Sequence, residues 1–135
     1  MKLFSTGSKD TKTSIALLLL RLVAGLSMAF SHGYGKLMSF SDKADSFPDP
    51  IGLGSEIALT LAVFGEFFCG LFVAVGLATR LTAIPVIITM VVAFAVIHGG
   101  DPFAKKEMSL LFLTMFTAIF VAGPGKYSID NFISK

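Results

Sequence analysis

A single all-α domain, folded as an integral membrane four-helix transmembrane bundle, is the architecture this chain predicts. Its 135 residues are 54% hydrophobic and only 15% charged, with a mean hydropathy of +0.80, whereas a soluble domain carries about 25% charged residues. Four apolar runs, each near the roughly 20 residues that cross a hydrocarbon core, take up most of the length. The segments between them fall short of the ~50 residues that a second domain needs, so one domain is expected over residues 1–135.

The spans are expected at about residues 14–32, 57–78, 81–97 and 107–122. Span one follows a polar start and enters its apolar run at Ile15, with no small-residue cleavage pattern behind it, and reads as a retained span. Gly33 and Gly35 are expected to end it. The connection from Ser39 to Gly54 carries Asp42, Asp45, Pro48, Asp49 and Pro50 and reads as a loop. Ser55 is a candidate N-cap for span two, with Glu56 in the first turn. Thr79 and Arg80 are expected to form a tight reversal into span three. Pro85 is placed in about the first turn of that span, where a missing N–H is best tolerated. Gly99, Gly100 and Pro102 close span three, and Gly123, Pro124 and Gly125 stop span four.

Composition also excludes several functions. A net charge of +2 with no basic run gives no footprint for nucleic acid. Cys69 is the one cysteine, so neither an internal disulfide nor a CxxC dithiol is available, and the chain does not carry electrons on its own thiols. No HxxH or HxxxH spacing points to a metal, and no phosphate-cradling loop or GxSxG elbow occurs. With four spans, Lys2, Lys9, Lys12, Arg80, Lys126 and Lys135, with Arg21 leaning to the same side, oppose Lys36, Lys43, Lys105 and Lys106. That excess places both termini in the cytoplasm of a multi-pass protein of the cell membrane.

Two charges stand where charge is expensive. Arg21 and Glu66 sit within apolar runs, where an ionised side chain costs about 2.5–3.5 kcal/mol. With Arg21 about 10–12 Å and Glu66 about 18–20 Å in from the cytoplasmic side, an Arg21–Glu66 ion pair is expected across the first two helices. The pair serves either as a clasp that fixes helix register or as the polar wall of a ligand pocket. Phe64, Phe67, Phe68 and Phe72 surround Glu66 and offer an apolar slot. A second polar group is expected at the outer end, where His32 and Lys36 finish span one, His98 finishes span three and Glu107 begins span four. Such a cluster suits proton handling or head-group binding.

These residues occur in an order that resembles the DoxX family over nearly the whole chain. The segments are RLVAGLSMAFSHGYGK from Arg21 to Lys36, EFFCGLFVAVGLATR from Glu66 to Arg80, Glu107, and GPGKYSID at 123–130. The matching positions include Arg21, His32, Gly33, Lys36, Glu66, Gly70, Gly76, Arg80, Glu107, Gly123, Pro124, Gly125 and Asp130. The resemblance implies a small four-helix membrane protein near membrane redox chemistry, with a quinone as the implied cofactor and a soluble or membrane oxidoreductase as the implied partner. Three functions follow. The first is a quinone-interacting subunit of an oxidoreductase system, not catalytic alone. The second is a non-enzymatic assembly or scaffold subunit whose charges clasp the bundle. The third, disfavoured by four short helices without a repeat unless the chain forms an oligomer, is a small transporter.

Overall fold

The structure, a computed structural model, describes residues 2–134. Its helices are α1 (Thr11–Met38), α2 (Phe40–Lys43), α3 (Ser55–Val75), α4 (Thr79–Ile97), α5 (Phe103–Ala122) and α6 (Ile129–Ile133). Among the described residues there is no strand. The chain is all-α, and α1, α3 and α4 are long and apolar enough to cross a membrane. Helix α5 packs against α4 as the fourth long helix of the bundle. It starts with Lys105, Lys106 and Glu107, and its uncharged run, 108–122, reaches about 22 Å against a hydrocarbon core of about 30 Å.

Burial is inverted relative to a soluble fold. Leu19, Val23, Ile57, Phe64, Ile88 and Val121 are exposed, while Ser14, Arg21, Glu66, Thr79, Arg80 and Asn131 are buried. An apolar exterior around a partly polar interior is what a lipid solvent selects. The core itself is apolar, built on Ala24, Met28, Val73, Val86, Phe112 and Phe116.

Small residues let the helix backbones touch. A Cβ added at Gly25 would come 2.6 Å from the Gly70 carbonyl oxygen, and one at Gly33 would come 2.5 Å from the Phe67 backbone nitrogen. Gly33 therefore does not end span one, as expected from sequence. It lets α1 pass close to α3, and the helix continues to Met38 through a π turn over Met28–Gly33. Similar π turns interrupt α3 at Phe64–Phe68 and α4 at Ala93–Ile97.

The other boundaries differ from expectation for local reasons. Gly54, at φ 100°, caps α3, so Ser55 is its first helical residue. The preceding turn is held by Asp49, which accepts from the Leu53 and Gly54 backbone N–H groups. Helix α3 stops at Val75 because Gly76 turns left-handed at φ 76° and Leu77 N donates back to the Phe72 carbonyl, a Schellman-type closure. The reversal is then Leu77–Ala78, and Thr79 and Arg80 begin α4. Pro85 lies in the second turn of α4, where it can donate nothing to the preceding turn.

The end of the bundle that carries both termini is sewn by side chains from distant parts of the chain. Ala78 holds a left-handed φ of 46° and has no side-chain cap to offer α4. Asp130 supplies it, accepting from Ala78 N at 2.6 Å, Thr79 N at 2.9 Å and Thr79 Oγ1 at 2.8 Å. The buried Arg80 donates from Nε to the Phe120 carbonyl, from Nη2 to the Val121 carbonyl and from Nη1 to Lys2 O and to the Ser5 carbonyl and hydroxyl. Gly125 N donates to Thr6 O, which completes the join between the N-terminal segment and the Gly123–Pro124–Gly125 stop.

Gly33→Val is expected to lower the yield of folded protein in mild detergent, because no rotamer change moves the Phe67 backbone. Gly35→Ala, with open space at its Cβ, is expected to be neutral. Asp130→Ala is expected to cost about 1–2 kcal/mol, read as a lower thermal midpoint of the solubilised protein.

Candidate functional site

The register set by the glycine contacts brings the last turns of α1 level with the π turn of α3. Lys36 Nζ donates to Glu66 Oε1 at 2.9 Å. The Glu66 side chain is 5% exposed and the Lys36 side chain 24%, so the carboxylate is buried and the ammonium reaches toward the surface. Glu66 Oε2 is buried without a hydrogen-bond partner among the described residues. Leaving such an acceptor unpaired costs about 1–3 kcal/mol, and more when it is charged.

The pair lies on the wall of a cavity of about 500 Å³. His32, from the α1 π turn, and His98, at the end of α4, line the same cavity. His32 stands edge-on to Phe112 of α5, with ring centroids 5.4 Å apart. His98 Nδ1 lies 2.9 Å from Asp101 Oδ2. That contact orients the imidazole and leaves Nε2 as its other polar atom. The remaining wall is mostly apolar, from Ala62, Met90, Val92 and Phe112, with Phe47 and Ile51 of the α2–α3 connection closing one side. Leu61 of α3 and Ile88 of α4, each about half exposed, also border the cavity, so its wall reaches the apolar surface. All three π turns contribute to this wall, through His32, Glu66 and Ala93. A π turn displaces side chains from the regular helical positions and recurs at functional sites.

The expected Arg21–Glu66 pair does not form. Arg21 is 1% exposed, and its Nη2 donates to the Tyr127 carbonyl at 2.7 Å, while Nε and Nη1 have no partner among the described residues. A Cβ at Gly76 would meet Arg21 Nη1 at 2.4 Å, so the guanidinium is level with the C-terminal end of α3. Glu66 lies ten residues earlier, about 15 Å back along that helix. Arg21 belongs to the joined terminal end, and Lys36 takes its place beside Glu66.

Glu107 is also placed differently. It is exposed just past the first turn of α5 and does not line the cavity, so the outer cluster comprises His32, Lys36 and His98 with Glu66. Phe64, Phe68 and Phe72 are 38–49% exposed, and Phe67 packs on Phe30 and Phe68. None of the four lines the cavity; they cover the outer and inter-helix faces of α3. Cys69 is buried in the core. Gly70 takes part in the α1–α3 contact, while Gly76, Arg80, Gly123, Pro124, Gly125 and Asp130 gather at the terminal end. Sequence reasoning passed over Thr89 and Ser109 as cavity-lining polar residues, and Asp101 as the partner of His98. The i,i+3 spacing of His98 and Asp101 was the available signal for that partner.

Residues 16–99, which include α3, α4 and most of α1, match the DoxX family. The chain belongs to the DoxX family. One similar DoxX-type relative is the "Uncharacterized membrane protein Rv3486" of Mycobacterium tuberculosis, 30% identical with 86% of this chain and 80% of that protein covered. Another is the "Putative oxidoreductase CatD" of Bacillus subtilis, 30% identical with 90% of this chain and 89% of that protein covered. No solved structure matches the chain. The DoxX match covers His32, Lys36, Glu66 and His98, whereas Asp130 and the Gly123–Pro124–Gly125 stop lie beyond it.

A double-mutant cycle separates the two candidate pairs. Lys36→Met with Glu66→Gln is expected to show a coupling of about 1 kcal/mol in detergent unfolding, and Arg21→Met with Glu66→Gln none beyond about 0.5 kcal/mol. Equal coupling in the two cycles would contradict the assignment of Lys36 as the partner.

Proposed function

We propose that this protein is the membrane subunit of a redox system and that its cavity takes a quinone ring, in either redox state, against Lys36 and Glu66. The observation that carries the reading is a buried carboxylate with a free oxygen on the wall of an otherwise apolar cavity of about 500 Å³. Small-molecule sites are of this kind, about 300–1,000 Å³, largely apolar, with a few polar groups that fix orientation. The exposed apolar residues on its border, Leu61 and Ile88, suit a ligand that arrives through the lipid. The printed name of the Bacillus subtilis relative supports a redox association, and the resemblance to DoxX proteins points the same way. The chain acts as a binding subunit for a partner oxidoreductase, and its own residues supply no electron carrier. In the same reading α5 is the fourth span, both termini are cytoplasmic and the cavity lies toward the opposite membrane face.

The Lys36–Glu66 salt bridge favours a second reading, a scaffold subunit in which the pair only clasps α1 to α3. Protein purified in mild detergent is expected to retain a quinone detectable by mass spectrometry, and to bind added decylubiquinone saturably. Lys36→Met should weaken that binding at least about tenfold. Absence of both retained quinone and saturable binding would leave the scaffold reading in place.

A further inference from the structure

The two oxygens of Glu66 are in unlike positions. Oε1 accepts from Lys36 Nζ, whereas Oε2 is buried and accepts from nothing among the described residues, in a residue that lines the cavity. A carboxylate paired with an ammonium can only accept hydrogen bonds, so the open position calls for a donor. Of the polar groups on the wall, Thr89 and Ser109 give their hydroxyls to the Pro85 and Lys106 carbonyls and Lys36 donates to Oε1, so among the described residues none donates to Oε2. The group that completes this site is therefore a ligand that brings an O–H or N–H of its own.

This requirement distinguishes the redox states of a quinone. The oxidised ring carries two carbonyl oxygens and no donor, and it would place lone pairs against the Glu66 carboxylate. The reduced ring carries phenolic hydroxyls. Each can donate once and still accept, which matches a site where the acceptor Glu66 Oε2 lies next to the donors on Lys36 Nζ. We infer that Glu66 makes the cavity selective for the hydroxyl-bearing, reduced form of its ligand, a hydroquinone over the corresponding quinone. The inference rests on the cavity being a quinone site, as proposed above. Glu66 then determines specificity, and Lys36 positions it by holding Oε1 and leaving Oε2 free. A tenfold preference for the reduced form raises the midpoint potential of the bound two-electron couple by about 30 mV relative to the free couple.

The test uses the full chain in mild detergent under anaerobic conditions, with decylubiquinol and decylubiquinone as probes in equilibrium dialysis. The expected result is that decylubiquinol binds at least about tenfold more tightly, and that the dimethyl ether of decylubiquinol, which has no donor, binds no better than the quinone. Glu66→Gln is expected to reverse the order. With the amide oxygen toward Lys36, its NH₂ faces the cavity and donates to a quinone carbonyl. Equal binding of both redox forms by the unmutated protein overturns the selectivity and leaves the quinone site standing. Saturable binding of none of the three probes overturns the site, and the selectivity with it. If Glu66→Gln does not accumulate, the comparison with the dimethyl ether decides alone: binding as tight as that of decylubiquinol overturns the inference.

Discussion

Where α1 crosses α3, the two backbones meet with almost no side chain between them. Gly25 lies against the Gly70 carbonyl and Ala74, and Gly33 lies against the backbone of Phe67. Packing is a main source of helix association in a membrane, because burying apolar surface gains nothing against lipid. Such a contact fixes the sliding register of the two helices as well as their distance. Once it is set, Lys36 must meet Glu66 at one end of the bundle and Arg21 must meet Gly76 at the other. A shift of one helical turn, about 5.4 Å, would separate both encounters.

The two ends then treat their buried charges in different ways. At the terminal end, Arg80 and Asp130 bond chiefly to backbone groups that helix ends leave open: the last carbonyls of α5 for Arg80 and the first N–H groups of α4 for Asp130. Gly76 and Gly123 let these side chains come close, and the result is a joint between the N-terminal segment, the α3–α4 turn and the C-terminal segment. At the other end the charge of Glu66 is met by one partner among the described residues, and the residue borders open space. Saturated polar groups hold a fold rigid, whereas an unsaturated one beside a cavity has capacity left for a ligand. Arg21, at the terminal end, also leaves Nε and Nη1 without a partner among the described residues but does not line the cavity, and so the functional proposal rests on Glu66 and not on Arg80 or Arg21.

Much of this was legible in particular residues. The cost of charge in an apolar run singled out Arg21 and Glu66, and both are buried as that cost requires. His32, Lys36 and His98 were grouped because each finishes a span on the same side, and all three line the cavity. The pairing was not legible, because rise per residue measures depth only from a known helix end. The sequence reads span one as ending at about residue 32, but the helix continues to Met38, and it reads span two as reaching residue 78, but that helix stops at Val75. Glu107 was misplaced for a related reason. Position along a helix does not state which face it presents, and α5 turns that residue outward.

Composition and hydropathy alone determine that this chain is an all-α membrane protein with very few places for charge, because a hydrocarbon solvent leaves little freedom in either respect. Local chemistry likewise determines the Gly123–Pro124–Gly125 stop, whose two glycines take positive φ angles that need no distant partner to be favoured. Only the tertiary structure decides which charges meet. That choice depends on a register set by Gly25, Gly33 and Gly70, on π turns that rotate His32 and Glu66 onto the cavity wall, and on an Asp130 more than fifty residues beyond the helix start it caps. Each of these is a contact between segments far apart in the chain, and sequence spacing carries no measure of it.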